Sequence, residues 1–470
     1  MDRIEYFHMT KLQSLSDKDA KSHSPFFRVQ VLSTPRWKRY ALERIAKELS
    51  RVTASMDEVL QYSPRPDDTG LLLQKLSVKG GRGVVRTLAS IPSHWAAQKD
   101  LRTAILLNGN FSHSRDIQSL LVSLHEKLNR HSRVLVIAYS PYMRWVYLLA
   151  TRMKLRRGEL PTTFLTEVDA RNIAKISGFD LVRIRPCVFF PFSIVGLGTL
   201  FNQIMVSVPF FRRLSYTSIL VFRPIKRAIP DPSLSIVIPA RNEKGNIEGA
   251  VQRIPQIAPI QEIIFVEGNS NDGTWQEIQR VIREYKGPYF LKAFQQKGKG
   301  KNDAVRMGFA NSTCELLTIL DADLTMPPEV LHRFYDAYRD GHGDFINGNR
   351  LSYPMEGEAM KFLNHLGNVF FAKALSWVLD SSLGDSLYGT KLLARKDYQR
   401  IVEWRERFGD FDPFGDFELL YPAAELGYGI VDMPVAYKAR VYGTTNIRRF
   451  RDGIKLLKMT VIGFIKIKMG

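Results

Sequence analysis

The segment Leu316-Leu317-Thr318-Ile319-Leu320-Asp321-Ala322-Asp323-Leu324-Thr325-Met326-Pro327-Pro328 constrains the fold more than any other. Five apolar or β-branched residues run into two aspartates one residue apart, and turn-forming residues close the run. Such a run is expected as an interior strand of a parallel sheet. Ligands of such sheets collect beyond the carboxyl ends of the strands, where Asp321 and Asp323 fall. Two hard carboxylate oxygens at this spacing suit Mg2+ or Mn2+, which can hold and stabilise a departing diphosphate. On this segment alone two readings stand: a metal clamp, or carboxylates that cap the helix expected from about Pro327.

Two further strands point the same way. Leu234-Ser235-Ile236-Val237-Ile238-Pro239-Ala240 runs into Arg241-Asn242-Glu243, and Glu262-Ile263-Ile264-Phe265-Val266 runs into Glu267-Gly268-Asn269-Ser270-Asn271-Asp272-Gly273-Thr274. Each ends in acidic or amide side chains that could meet at one crevice. Between the second and third strands, Gln296-Lys297-Gly298-Lys299-Gly300-Lys301-Asn302-Asp303 is a glycine-relieved basic loop before a helix. Backbone amides, a helix N-terminus and lysines together suit phosphate.

The four motifs PARNE (239–243), VEGNSNDGT (266–274), KGKGKNDAV (297–305) and LDADLTMPPE (320–329), in this order, resemble the donor half of a family 2 glycosyltransferase. The branch they are most similar to is that of dolichol-phosphate mannose synthase and related polyprenyl-phosphate sugar transferases. The resemblance covers about 233–450. It implies a GT-A type nucleotide-sugar transferase fold, with Asp321 and Asp323 as metal ligands. Pro239, Ala240, Asn242, Glu243, Glu267, Asp272 and Asp321 would line the nucleotide-sugar pocket, and Lys299 would face the donor phosphates.

Composition bounds the partners. A formal charge of +20 favours acidic ones: nucleic acid, an anionic membrane face or phosphorylated substrates. No interleaved aromatic and basic motif for nucleic acid is present, so none is expected as a partner. Cys187 and Cys314 form neither a metal cluster nor a disulfide framework, which suits a reducing compartment. Met1-Asp2-Arg3-Ile4-Glu5 is charged and no signal-peptide core follows it. The expected location is cytoplasmic, peripheral at the membrane face.

The N-terminal half is α/β as well. Strands are expected at Asp57–Tyr62, near Gly83–Arg86, at Thr103–Asn108, Arg133–Tyr139 and Thr217–Phe222. Phe164 to Arg183 reads as a capped helix, a glycine stop at Gly178 and a strand. This order, with the strand end Leu106-Leu107-Asn108-Gly109-Asn110, resembles the C-terminal half of a class I S-adenosylmethionine-dependent methyltransferase. The whole arrangement is similar to bacterial chains that join such a domain to a sugar transferase carrying the same FGDFDPFGDFELL and RFRDG stretches. The departure is at the cofactor turn: Ser63-Pro64-Arg65-Pro66-Asp67-Asp68-Thr69-Gly70 holds two prolines and no G-x-G. The second strand also lacks an acidic end. A degenerate Rossmann-like domain is expected, with no S-adenosylmethionine.

Val188 to Phe211 carries no charged side chain and is long enough to cross a bilayer at about 1.5 Å per residue. Pro191, Gly196, Gly198, Asn202, Gln203 and Pro209 interrupt it, which favours a buried or membrane-dipping element over a span. The proline-rich 224–232 reads as a linker. The expected parts are thus a polar segment 1–33, a methyltransferase-like domain 34–223, the linker, the transferase domain 233–450 and a basic amphipathic helix 451–470. That helix, with Lys455, Lys458, Lys466 and Lys468, suits either an anionic membrane surface or packing on its own domain.

Arg350, after the strand-like Asp344–Asn349, suits an anionic substrate group. Inverting transfer needs a carboxylate to orient or deprotonate the acceptor. By resemblance, Asp385 in the D-x-x-x-G-x-K stretch ending at Lys391, and Asp416 in FGDFE, are the candidates. If the acceptor is an ionised phosphate, placement by cations outweighs any base. Arg440 and Arg448 resemble a basic loop that folds over donor and acceptor phosphates. The reading is a metal-dependent inverting transferase acting on a polyprenyl phosphate. A soluble or protein-bound acceptor, and a non-catalytic basic binding protein, are the alternatives.

Overall fold

The computed structural model describes residues 35–66, 68, 70–153, 160–354, 362–410, 412, 414–440, 442 and 449–470. The chain divides into two compact units, with the boundary between Ile225 and Lys226.

The first unit is built on six strands, β1 (Glu58–Tyr62), β2 (Gly81–Val85), β3 (Thr103–Asn108), β4 (Arg133–Tyr139), β5 (Phe179–Val188) and β6 (Thr217–Pro224), ordered β2-β1-β3-β4-β6-β5. The β2-β1-β3-β4 part is parallel, whereas β6 runs antiparallel to both β4 and β5. Alternate residues of each central strand enter different cores. Ala104 and Leu106 pack with the helix Arg36–Thr53, and Ile105 and Leu107 pack with the helices Ile117–Lys127 and Glu167–Ile176. Burial on both faces explains the unbroken apolar runs. The Glu167–Ile176 helix carries the expected cap: Asp169 N–H donates to Thr166 Oγ1 and Thr166 N–H to Asp169 Oδ2, a reciprocal capping box. Gly178, at φ +77°, ends the segment before β5.

The expected linker is not a free tether. Pro224 ends β6, Ile225 N–H donates to Gly178 O (2.8 Å), Ala228 N–H to Arg339 O (2.7 Å) and Tyr335 Oη–H to Pro232 O (2.8 Å). The stretch is thus shared between the two units and hydrogen-bonded in each.

The second unit is built on seven strands, β7 (Leu234–Ala240), β8 (Gln261–Glu267), β9 (Phe290–Gln295), β10 (Leu316–Ile319), β11 (Phe345–Asn349), β12 (Lys391–Ala394) and β13 (Ile430–Pro434), ordered β13-β11-β12-β10-β7-β8-β9. The strand before Asp321 is interior, as the pattern requires, but its sheet is mixed: β10 is parallel to β7 and antiparallel to β12. Because β12 alone runs the other way among these strands, its first residue, Lys391, arrives at the edge where the others end. Val237, Ile264, Leu317 and Ile319 face one core, and Ile236, Ile263, Phe265 and Leu316 face the other.

Among the described residues no helix is long and apolar enough to cross a membrane. The uncharged segment after Val188 folds as a loop and a helix, Leu197–Ser207. Asn202, one of its apparent interruptions, is fully buried and locks this segment. Its Oδ1 accepts from Phe189 N–H (2.7 Å) and Phe190 N–H (2.9 Å), and its amide donates to Phe190 O and Gly198 O (both 2.8 Å).

The C-terminal helix Arg449–Gly463 and the π-turns Phe464–Met469 are part of the second unit's packing. Met459 and Ile467 lie in its core, and Lys468 is buried, paired with Asp380. The expected lysine face is therefore one member short. A stripe of Ile454, Leu457, Val461 and Ile465 remains exposed.

Candidate active site

At the carboxyl edge of the second sheet, carboxylates and cations alternate. Asp321, directly after β10 and Leu320, is paired with Lys301, the first residue of the helix Lys301–Ala310. Burial pushes the Asp321 carboxyl up, but Lys301, Lys391 and Arg350 outweigh it and hold the pKa below the ordinary value. Burial likewise works against the Lys301 charge, and Asp321 and Asp416 outweigh it, leaving a raised pKa. Asp323 Oδ1 accepts from Thr325 N–H (3.1 Å) and its hydroxyl (2.9 Å), while Oδ2 accepts from Arg440 Nη2 at 2.5 Å. Arg440 Nη1 reaches across to Glu243 Oε1 at 3.1 Å, tying the end of β7 to the clamp. Burial raises the Glu243 carboxyl to about 6, although Arg440 and Asn246 pull it down.

The nucleotide-side candidates sort into different tasks. Pro239 and Ala240 end β7, and Ala240 O accepts from Gly268 N–H at 2.8 Å. Asn242, in the left-handed region at φ +57°, accepts on Oδ1 from Asn271 N–H at 3.0 Å and so laces the two loops together. Glu267 is buried and committed to its own turn, accepting from Ser270 N–H (2.5 Å) and Gln295 Nε2 (3.2 Å). Asp272 Oδ1 accepts from the N–H of Thr274 (3.0 Å), the first residue of the helix Thr274–Glu284. Burial of Asp272 is outweighed by hydrogen bonds from Thr274 and Lys244, so its pKa is lowered. Lys299, expected at the donor phosphates, is exposed, and Lys301 is the lysine turned to Asp321. The helix begins at Lys301, after Gly300 at φ +93°, and this start decides which lysine faces the sheet.

Asp385 is fully buried, paired at 2.9 Å with Arg350, whose guanidinium also lies over the rings of Tyr388 (5.5 Å) and Tyr437 (5.7 Å). Asp416, the first residue of the helix Asp416–Glu425, is held by Lys391 at 2.5 Å. Its neighbour Glu418 is buried among Asn302, Arg306 and Arg405. Asp412 accepts from Phe417 N–H (2.8 Å) and Glu418 N–H (3.0 Å) and thereby caps that helix. Arg448 lies outside the described residues.

Sequence reasoning assigned no role to Lys301, Thr325, Tyr388 or Tyr437. Gly389, the glycine of the D-x-x-x-G-x-K stretch, lies against the clamp: a Cβ there would stand 2.1 Å from Lys301 Nζ and 2.6 Å from Asp321 Oδ2. Among the described residues no three acidic, histidine or cysteine groups gather as a protein-only metal cage. A two-carboxylate donor set does fit Mg2+ or Mn2+ that completes its shell with substrate phosphate and water. Asp321 Oδ2 takes no hydrogen bond among the described residues and is the oxygen such an ion would meet.

Residues 235–401 match the family model for glycosyl transferase family 2. The chain is 28% identical over 229 residues to a dolichyl-phosphate hexose transferase of Haloferax volcanii, covering 48% of this chain and 92% of that one. It is 33% identical over 119 residues to a dolichol-phosphate mannosyltransferase of Pyrococcus furiosus, covering 25% of this chain but only 33% of the relative. Among solved structures, glucosyl-3-phosphoglycerate synthase from Mycobacterium tuberculosis, in complex with uridine diphosphate, is similar at 17% identity and a TM-score of 0.35. That match covers 49% of this chain and 80% of the other, a likeness too low to carry the chemistry of the site. Residues 235–401 of the second unit are therefore a glycosyl transferase family 2 domain, and the chain carries a nucleotide-sugar glycosyltransferase.

Proposed function

We propose that this domain moves a sugar, with inversion, from a nucleotide diphosphate to the phosphate of a polyprenyl phosphate at an anionic membrane surface. The observation that carries the choice of acceptor is the state of the carboxylates. Asp385 is held by Arg350, Asp416 by Lys391, Asp321 by Lys301, and Asp323 with Glu243 by Arg440. A hydroxyl acceptor calls for a carboxylate ready to take its proton. A phosphate is already ionised at neutral pH and calls instead for cations that place it. Four cations held in position by four carboxylates and Glu243 meet that requirement.

In this reading Asp385 and Asp416 are positioning residues. Asp385 holds Arg350 against Tyr388 and Tyr437, and Asp416 holds Lys391. Lys301 and Arg440 neutralise the clamp and the donor diphosphate. Asp321 and Asp323 would hold Mg2+ or Mn2+, which when bound supplies charge to the leaving diphosphate. The acceptor phosphate oxygen forms the new bond to the anomeric carbon as the bond to the diphosphate breaks, and the electron pair leaves with the nucleotide. The exposed stripe of Ile454, Leu457, Val461 and Ile465 supports a lipid acceptor, because Lys455 of the same helix lies over the Phe414 ring (5.6 Å), two residues from Asp416.

For the first unit we infer a methyltransferase-like domain that does not take S-adenosylmethionine. Supporting this, the loop at the crevice between β1 and β3 turns inward: Asp68 accepts from Gln61 Nε2 (2.6 Å) and Asn108 Nδ2 (2.8 Å). A crevice of this kind is where an open sheet binds its ligand.

The test is a panel of nucleotide sugars with Mn2+, with and without a short-chain polyprenyl phosphate. One donor should be consumed only when the lipid phosphate is present, and Asp321→Asn with Asp323→Asn should cut transfer on the order of 100-fold or more. Turnover indifferent to the lipid would overturn the acceptor.

A further inference from the structure

The helix Leu197–Ser207 is amphipathic the wrong way round. Its inward positions are Gly198, Asn202, Val206 and Ser207, and its outward positions are Leu197, Leu200, Phe201 and Ile204. A helix that covers a soluble core turns the other stripe outward. The neighbouring helix Arg144–Arg152 repeats the inversion: Tyr147 is its buried side chain, and Trp145 (64% exposed), Leu148 and Leu149 point out. The turns beside the two helices, Pro141–Met143 and Pro209–Leu214, touch: the Arg213 guanidinium lies over the Tyr142 ring at 5.8 Å and Ser140 Oγ–H donates to Arg213 O at 3.2 Å. Exposed apolar patches of this extent mark interaction surfaces.

The loop ahead of the first helix adds a second observation. Ile194, Val195 and Gly196 follow one another in the left-handed region at φ +31°, +50° and +86°. For two β-branched residues in succession this is strained backbone. It lifts Val195 to 100% exposure, and the clamp of Asn202 on Phe189 and Phe190 keeps the loop in place. Phe210, in the turn Pro209–Leu214 that follows the helix, is 79% exposed. Strain and rigid support that present an apolar tip to water have no purpose in the chain's own packing.

Charge selects the occupant. Residues 140–153 and 188–216 contain Arg144, Arg152, Arg212 and Arg213 and no aspartate or glutamate. Leucine, phenylalanine and tryptophan on the outward face, flanked by arginines, match the boundary between acyl chains and anionic headgroups. We propose that this face of the first unit docks on an anionic lipid surface, with Val195 and the outward stripes of the two helices entering the headgroup layer. The inference does not depend on the sugar-transfer reading, since none of these residues belongs to the site on the second unit. It gives the first unit a membrane-attachment function of its own.

The test is cosedimentation of the full chain with vesicles of phosphatidylglycerol and phosphatidylcholine, and with phosphatidylcholine alone. Leu200→Ser with Phe201→Ser, and separately Trp145→Ser with Leu148→Ser, should each lower partition to the anionic vesicles at least tenfold. Arg144→Gln with Arg213→Gln should weaken anionic binding several-fold and leave neutral vesicles unaffected. Removing outward apolar groups leaves the core intact, so the circular dichroism and melting of these variants should match those of the wild type. Brominated lipid should quench part of the wild-type tryptophan emission, and Trp145→Phe should abolish that part. Unchanged vesicle binding in both apolar variants would overturn the proposal. So would a wild-type chain that ignores vesicles and self-associates through this face.

Discussion

A methyl group on Gly389 would occupy the space of the Lys301 ammonium. The backbone here is pressed against the Asp321–Lys301 pair, so Gly389→Ala must push the two charges apart. The variant is expected to fold and to lose sugar transfer by on the order of tenfold to a hundredfold, as misplacement near a reacting centre does. Gly367 is the control, because a Cβ there meets nothing within 4 Å. Its site lies inside the helix Phe362–Leu379, where Gly→Ala should stabilise by about 0.5–1 kcal/mol. Thermal melts and transfer rates of the two variants read this contrast directly. The same locality explains why Asp321 and Asp323 are legible in the sequence and Lys301 is not. The aspartates follow a strand whose end is marked by its own pattern, whereas Lys297, Lys299 and Lys301 differ only in where the next helix starts.

At the scale of elements, the helix Arg36–Thr53 is tied to β5 by charge. Glu48 contacts Arg185 at 2.9 Å and Arg51 at 3.2 Å. Burial raises its carboxyl, but Arg185, Arg51 and Arg183 outweigh burial and lower the pKa from 4.5 to about 2. A depressed carboxylate contributes stability that is fully present above the unfolded value and is lost as pH falls from 4.5 towards 2. At 1.36 kcal/mol per unit this is about 3 kcal/mol. Glu48→Gln should therefore lower the stability of the first unit by about that amount at pH 7. It should also flatten the acid limb of a denaturant-unfolding series between pH 4.5 and 2. Asp412 holds one helix, although burial raises its carboxyl to about 6, and Asp412→Ala should cost about 1–2 kcal/mol by uncapping Phe417 and Glu418. Elements with their own signal were readable: the Thr166 cap, the Gly178 stop and the apolar strands. The helix Leu197–Ser207 was not, because Asn202 looks like a break in an apolar run until its three hydrogen bonds to the loop at Phe189 and Phe190 are counted as structure. The strand β12 was equally hidden, since four residues carry too little pattern and its place is set by β10 and β11 on either side.

At the scale of the molecule, each unit has its own pair of cores, and every residue assigned to sugar transfer falls within Lys226–Lys468. The apolar face of inverted helices lies within the first unit. A polypeptide of residues 226–470 is therefore expected to fold and to transfer sugar to a short-chain polyprenyl phosphate with a kcat/KM within a few-fold of the full chain. Its binding to anionic vesicles should fall at least tenfold, because the apolar side chains then left exposed on helices are fewer, namely Ile454, Leu457, Val461 and Ile465 with Leu366 and Phe370 of the helix Phe362–Leu379. The two readouts separate the roles of the units. Transfer lost from a well-folded fragment would mean that the first unit shapes the site, and vesicle binding fully retained would mean that the second unit carries the attachment. Retained transfer with weakened attachment is the result that two cores and two unrelated surfaces require.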